Sequence, residues 1–308
     1  MYIELQFMTS SMIITIFFFY LIHPFNLNTE RSITDTVLCR KSLIIITKPK
    51  CFSSFTNIPS DMVMFSKDII KKKNIPILSV IAVSTGALIF FDQNIVDASQ
   101  QLGKQLKIDP NSSQKPYFGK TVRFFSQSAF LGLEGPHDIS SVMYFLGDGW
   151  EHLAITSGFY LHGIITKNNK SRQIAASLSE SILTSGIIVQ IIKHITGRQS
   201  PFTSTAPGGV WRFFPNQMEY HKHVSSYDAF PSGHIATLTA TVTVLSSFYP
   251  KSKLIKPIGY SLMSILMFAM LNNGVHWASD YPLGIALGYS FAKIAVKNQR
   301  KLKHQCIN

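Results

Sequence analysis

Six apolar runs, at 75–91, 139–165, 174–192, 234–249, 257–273 and 281–297, alternate with polar connections along the chain. Each is close to the ~17–25 residues that a helix needs to cross the hydrocarbon core of a bilayer, several of them at the short end. The pattern predicts an all-α fold, a polytopic membrane helix bundle with about six core transmembrane helices. It divides the chain into an N-terminal apolar segment and loose linker (1–66), a membrane domain (67–298) and a basic C-terminal tail (299–308). Residues 12–25, "MIITIFFFYLIHPF", lack the basic flank and small-residue cleavage site of a signal peptide. They read either as an uncleaved anchor or as sequence upstream of a start at Met62. Residues 28–66 are polar and rich in Ser and Thr, without periodicity, which suits a linker. Residues 92–138 read as a polar connection carrying an amphipathic patch, "TVRFFSQSAFLGL", suited to a membrane surface. Residues 199–230 form a second connection, rich in Phe, Pro, Gly and His. Its length makes it a candidate lid, and it carries Trp211, Phe213 and Phe214.

Composition supports the membrane reading. Of 308 residues, 46% are hydrophobic and only 15% charged, with 23 Phe and a mean hydropathy of +0.17. A formal charge of +13 raises nucleic acid as a partner. The basic residues, however, sit in short clusters beside the apolar runs, and no nucleic-acid fold motif is present. "KKKN" at 71–74, "KNNKSR" at 167–172, "PKSKLIK" at 250–256 and "KNQRKLKH" at 297–304 fall on one side if every run spans, and none contains Asp or Glu. That side is expected to be cytoplasmic. The opposite face then carries 92–138, 199–230 and the turn at 274–280. Cys39, Cys51 and Cys306 show no CxxC spacing and no disulfide framework.

Three clusters meet on that outer face. In "IIKHITGRQSP", Lys193 and Arg198 stand at a helix end. Snorkelling explains such residues, but a position against the positive-inside trend favours anion binding. In "FPSGH", Ser232 is placed to cap a helix and Gly233 lets a ligand approach the backbone. A helix start is a phosphate site, yet capping alone accounts for Ser232 and leaves His234 unexplained. In "NNGVHWASD", His276 and Asp280 are four residues apart. They form either a structural pair or a nucleophilic histidine whose tautomer is fixed by a carboxylate. Together the clusters supply cations, an anion-binding helix start and two histidines, the parts that displacement at phosphorus requires.

Their order and spacing resemble the type 2 phosphatidic acid phosphatase superfamily, which includes the vanadium haloperoxidases and carries K-x6-R-P, P-S-G-H and S-R-x5-H-x3-D. The resemblance covers about 75–297. The second motif matches fully, the third at His276 and Asp280, and the first at Lys193 and Pro201. Ser200 stands where the first motif has arginine, with Arg198 two residues earlier, and Ala269-Met270 replaces the third motif's Ser-Arg. The resemblance implies a metal-independent phosphoric monoester hydrolase without cofactor, acting on a lipid phosphate or diphosphate. His276 would attack phosphorus, Asp280 would orient it, and His234 would protonate the leaving oxygen. Lys193, Arg198, Ser232 and Gly233 would hold the phosphate, with Asn272, Asn273 or Arg212 standing in for the lost arginine. A bacterial cytoplasmic membrane is the expected location, the site facing the periplasm or exterior. The missing arginine motivates a second reading, a non-catalytic member that binds phospholipid or serves as a membrane scaffold. Two further groups stand apart. Asp148, Glu151 and His152 flank Gly147 and Gly149, which predict a broken helix with a structural or site-rim role. Glu180, among small residues, is expected to pair with a polar neighbour.

Overall fold

The computed structural model describes residues 35–39, 42–46, 48–50, 52–110, 114–124, 127–136 and 139–303. The apolar segment 12–25 lies outside them. The described residues form ten α-helices in chain order: α1 (Ser53–Thr56), α2 (Ile58–Ile69), α3 (Ile75–Gln105), α4 (Ile139–Phe145), α5 (Gly149–Ile165), α6 (Asn169–Thr196), α7 (Gln217–Lys222), α8 (Gly233–Phe248), α9 (Ile255–Asn272) and α10 (Tyr281–Gln299). Strands are peripheral. β1 (Asp35–Cys39), β2 (Ser42–Ile46) and β5 (Lys301–Lys303) form one small antiparallel sheet, and β3 (Gln114–Phe124) pairs with β4 (Gln127–Pro136) in a hairpin. The core itself is helical.

All six predicted runs are helical, with instructive differences at their ends. α3 does not stop at residue 91 but continues to Gln105. Polarity rises there, yet nothing breaks the backbone, and Val96 and Gly103 still face the bundle. Asp92 therefore lies inside a helix, not in a connection. The 139–165 run is broken as the glycines predict: α4 ends at Phe145 and α5 begins at Gly149, with the Asp148 side chain accepting from the Gly149 N–H at 2.7 Å. The patch "TVRFFSQSAFLGL" falls on β3 and β4, so it is part of a hairpin. Residues 53–66, read from sequence as linker, are α1 and most of α2 and belong to the bundle. Ser54 donates to the Ala176 carbonyl (3.0 Å), and the Asn57 amide donates to Glu180 (3.0 Å). Isolated polar residues conceal such docking, because its partners are more than a hundred positions away.

Among the described residues, three helical stretches are long and apolar enough to cross a membrane: Lys72–Gln105, Asn169–Thr196 and Ile255–Asn272. The first has Phe90 86% exposed and Val83 70% exposed along its apolar half, the surface a lipid-facing helix presents. α8 is the opposite case. Its Thr239, Thr241 and Thr243 are buried, and α6, α9 and α10 pack around it. The closest crossing joins α8 to α10. A Cβ on Gly284 would lie 2.6 Å from the Ser232 carbonyl oxygen, and one on Gly288 only 2.1 Å from that of Ala236. This G-x3-G pair lets the two backbones touch, and it sets the end of one motif against the start of another.

Candidate active site

The site is built where α6, α8 and α10 meet near one end. α6 closes on Gly197, in the left-handed region (φ 54°), whose N–H bonds back to the Lys193 carbonyl at 2.9 Å. The chain then turns Arg198 into the bundle, where its side chain is fully buried. One Nη donates to the Ser279 hydroxyl and to Asp280 Oδ1, both at 2.6 Å. The other donates to Asp92 Oδ2 at 2.6 Å and to the Gly208 carbonyl at 2.8 Å. Trp211 lies beneath the guanidinium at 4.6 Å, and Trp277 at 5.3 Å.

Asp92 answers from α3. Its Oδ1 accepts from the Ser279 N–H (3.0 Å) and its Oδ2 from the Ser279 hydroxyl (2.5 Å). Two buried aspartates thus grip one buried arginine, and Ser279 closes the ring. Such a group is held in place because losing any partner would strand a charge away from water.

The third motif hangs on this ring. His276 is 2% exposed, and its Nδ1 lies 3.3 Å from Asp280 Oδ2. The same oxygen accepts from the Trp277 N–H at 2.8 Å, and Trp277 Nε1 donates to the Gln199 carbonyl at 2.7 Å. A carboxylate on Nδ1 directs the imidazole to keep its proton there and leaves Nε2 as the basic, nucleophilic nitrogen.

The second motif approaches from α8. The Ser232 N–H donates to the Asp280 carbonyl (3.1 Å), and its hydroxyl caps the helix by accepting from the Ile235 N–H (3.4 Å). Gly233 opens α8, and His234 follows in its first turn. The rings of His234 and His276 are 5.7 Å apart at 73°, an edge-to-face approach of the two imidazoles. Tyr144 of α4 stands 5.0 Å from His234. A Cβ on Gly147 would fall 2.7 Å from that of His234, so the break between α4 and α5 abuts the site. His152 is turned elsewhere, its Nδ1 2.9 Å from the Thr241 hydroxyl.

Lys193 is 5% exposed, with its Nζ 3.2 Å from Asp228 Oδ2. Both expected cations are therefore already ion-paired within the protein. The position of the missing arginine is apolar: Met270 is fully buried, and its sulfur contacts the Ser232 hydroxyl at 3.8 Å. Ser200 is buried as well, with its N–H bonded to the Ser225 carbonyl (2.9 Å). Arg212 points to the Ser226 carbonyl (3.4 Å) and the Tyr227 ring (5.4 Å), and Asn272 is buried against Gly103.

Sequence reasoning missed Asp92, Asp228 and Ser279. A signal existed for Asp92: an ionisable residue directly after an apolar run is a functional candidate once the helix is allowed to continue. Asp228 and Ser279 carried no signal, since each matters only through a partner distant in sequence.

No curated protein and no solved structure matches the chain. A family match covers residues 174–303, which include Lys193, Arg198, "PSGH", His276 and Asp280 and leave out Asp92. That stretch, which begins in α6 and runs to Lys303, is similar to the PAP2 superfamily.

Proposed function

We propose that the protein is a polytopic membrane phosphatase that hydrolyses a lipid phosphate or diphosphate monoester, without metal, at the outer face of a membrane crossed by about six helices. Members of the superfamily are in general phosphatases acting on phosphate esters. The observation that carries the finer reading is the His276–Asp280 pair, buried and braced by Arg198, facing His234 across 5.7 Å.

In the proposed reaction, His276 Nε2 attacks phosphorus and the P–O bond to the lipid breaks. The departing oxygen takes a proton from His234, which leaves a phosphohistidine. His234 then removes a proton from water as the water oxygen attacks phosphorus, and the P–N bond breaks to release phosphate and free His276. Lys193 and the N–H groups at the start of α8, behind Ser232 and Gly233, are proposed to hold the non-bridging oxygens. Arg198, engaged with Asp92 and Asp280, is proposed to act through Asp280 as a positioning residue. Asp280 itself holds the imidazole.

A second reading has its own support: Met270 and Ser200 replace both motif arginines, and the remaining cations are paired. On that reading the chain binds phospholipid without turnover. Purified full-length protein in detergent, incubated with a panel of lipid phosphates and diphosphates without added metal, separates the two. Phosphate release that is lost in His276→Ala supports hydrolysis. Lipid retained without release across the panel supports binding alone. Orientation is tested independently: a cysteine at position 207 is expected to react with an impermeant maleimide on intact cells, and labelling only after permeabilisation reverses the proposed topology.

A further inference from the structure

The aromatic residues of 199–230, expected together to form a lid, differ in exposure, although Phe213 stacks on Trp211 at 6.1 Å. Trp211 turns inward, with Arg198 stacked on it and Phe230 5.2 Å away. Phe213 and Phe214 turn outward and are 64% and 76% exposed. Phe214 is held in that position against its own backbone preference. Its φ of 52° is left-handed, a conformation in which the Cβ of a bulky residue crowds the following carbonyl. Its N–H bonds the Ile195 carbonyl at 2.7 Å, which fixes the residue to the last turn of α6.

α6 belongs to one of the stretches able to cross a membrane, and Ile191 and Ile195 are exposed on its last turns. Phe214 therefore extends an existing apolar surface beyond the end of the helix. Met218, 70% exposed on α7, lies four residues further along. Asn216 caps α7 by accepting from the Met218 and Glu219 N–H groups at 2.9 and 3.3 Å. Water is a poor environment for so much ordered apolar surface. The boundary of a bilayer suits it, since aromatic residues collect where a membrane helix emerges.

We propose that Phe213, Phe214 and Met218 are seated in the interfacial layer of the lipid bilayer beside the end of α6, and so moor the loop at the membrane surface. The occupant of this face is lipid, and the loop is an anchor in place of a cover over the headgroup. The proposal rests on the reading that α6 spans the membrane, and the test separates the two.

Full-length protein with Cys39, Cys51 and Cys306 replaced by Ser carries a single environment-sensitive fluorophore at Phe214→Cys or Phe213→Cys, or at Ile191→Cys as reference. It is placed in phosphatidylcholine nanodiscs containing lipid with a nitroxide near the headgroup or near the chain end. The expected result at 214 and 213 is strong quenching by the headgroup-proximal nitroxide, weaker quenching by the deep one, and protection from aqueous iodide. The reference at 191 is expected to be quenched by both nitroxides. Iodide quenching at 213 and 214 with no nitroxide effect, while 191 remains lipid-quenched, overturns the proposal and leaves the span standing. Iodide quenching at all three positions overturns both.

Discussion

Two buried polar clusters lie along α6, and only one of them ends on the His234–His276 pair of the candidate site. Toward the N-terminal half of α6, Glu180 is fully buried and accepts from Asn298 (2.6 Å), Gln299 (2.9 Å) and Asn57 (3.0 Å), while Asn298 also donates to Asp61 (2.7 Å). Every donor is a neutral amide from α10 or from the turn ahead of α2. The cluster fastens the N-terminal helices to the bundle and spends its hydrogen-bonding capacity on itself. At the other end, Arg198, Asp92, Asp280 and Ser279 are bound as tightly, but they brace an imidazole that faces a second imidazole. The lesson is that burial of charge does not distinguish fastening from function. What distinguishes the two clusters is whether the network ends on itself or on an imidazole of the candidate site.

The comparison predicts different failures at the two ends. If hydrolysis is confirmed, His276→Ala is expected to lower phosphate release by at least ~10³-fold with little change in thermal stability, because it removes the nucleophile and leaves the ring of charges intact. Measuring kcat and the unfolding midpoint together checks this. Asp92→Ala is expected to cost about 3–5 kcal/mol of stability, because Arg198 loses one of its two buried carboxylate partners and Ser279 loses both of its bonds to Asp92. It should also lower kcat more than it raises KM, as the brace on Asp280 loosens; an unchanged kcat would sever Asp92 from the site. Glu180→Gln should cost about 1–3 kcal/mol, the penalty for leaving buried donors poorly matched, with kcat preserved. A fall in kcat comparable to that of Asp92→Ala would erase the distinction between the clusters.

The smallest effect concerns pH. Burial pushes the Asp61 carboxyl above its usual range, although its bond from Asn298 works in the other direction. A carboxyl with a raised pKa in the folded protein holds its proton longer there than in the unfolded chain. Its contribution to stability therefore falls as pH rises through the carboxylate range. Asp61→Asn should flatten that part of the stability–pH curve by about 1 kcal/mol or less. Chemical denaturation at several pH values reads this directly.

Much of the fold was legible because long apolar helices advertise themselves by length and hydropathy. The interruption at Gly147–Gly149 was legible too, as were the histidines at 234 and 276 and the carboxylate at 280, all at fixed motif spacing. The true end of α3 was not, because hydropathy drops at Asp92 while the backbone has no reason to leave the helix. The docking of α1 and α2 was equally hidden, since Ser54, Asn57 and Asp61 are ordinary polar residues until Ala176, Glu180 and Asn298 are beside them.

Sequence alone determined the local quantities: the apolar runs, the helix break, the capped start at Ser232 and the i, i+4 pairing of His276 with Asp280. These depend on neighbours within a turn or two of helix. Tertiary structure decided what each charge is paired with. Arg198 reads from sequence as a phosphate ligand. Across the fold it meets Asp92, 106 residues earlier, and Asp280, 82 residues later. The strength and purpose of a buried charge are set by its partners in space, and no local pattern carries that information.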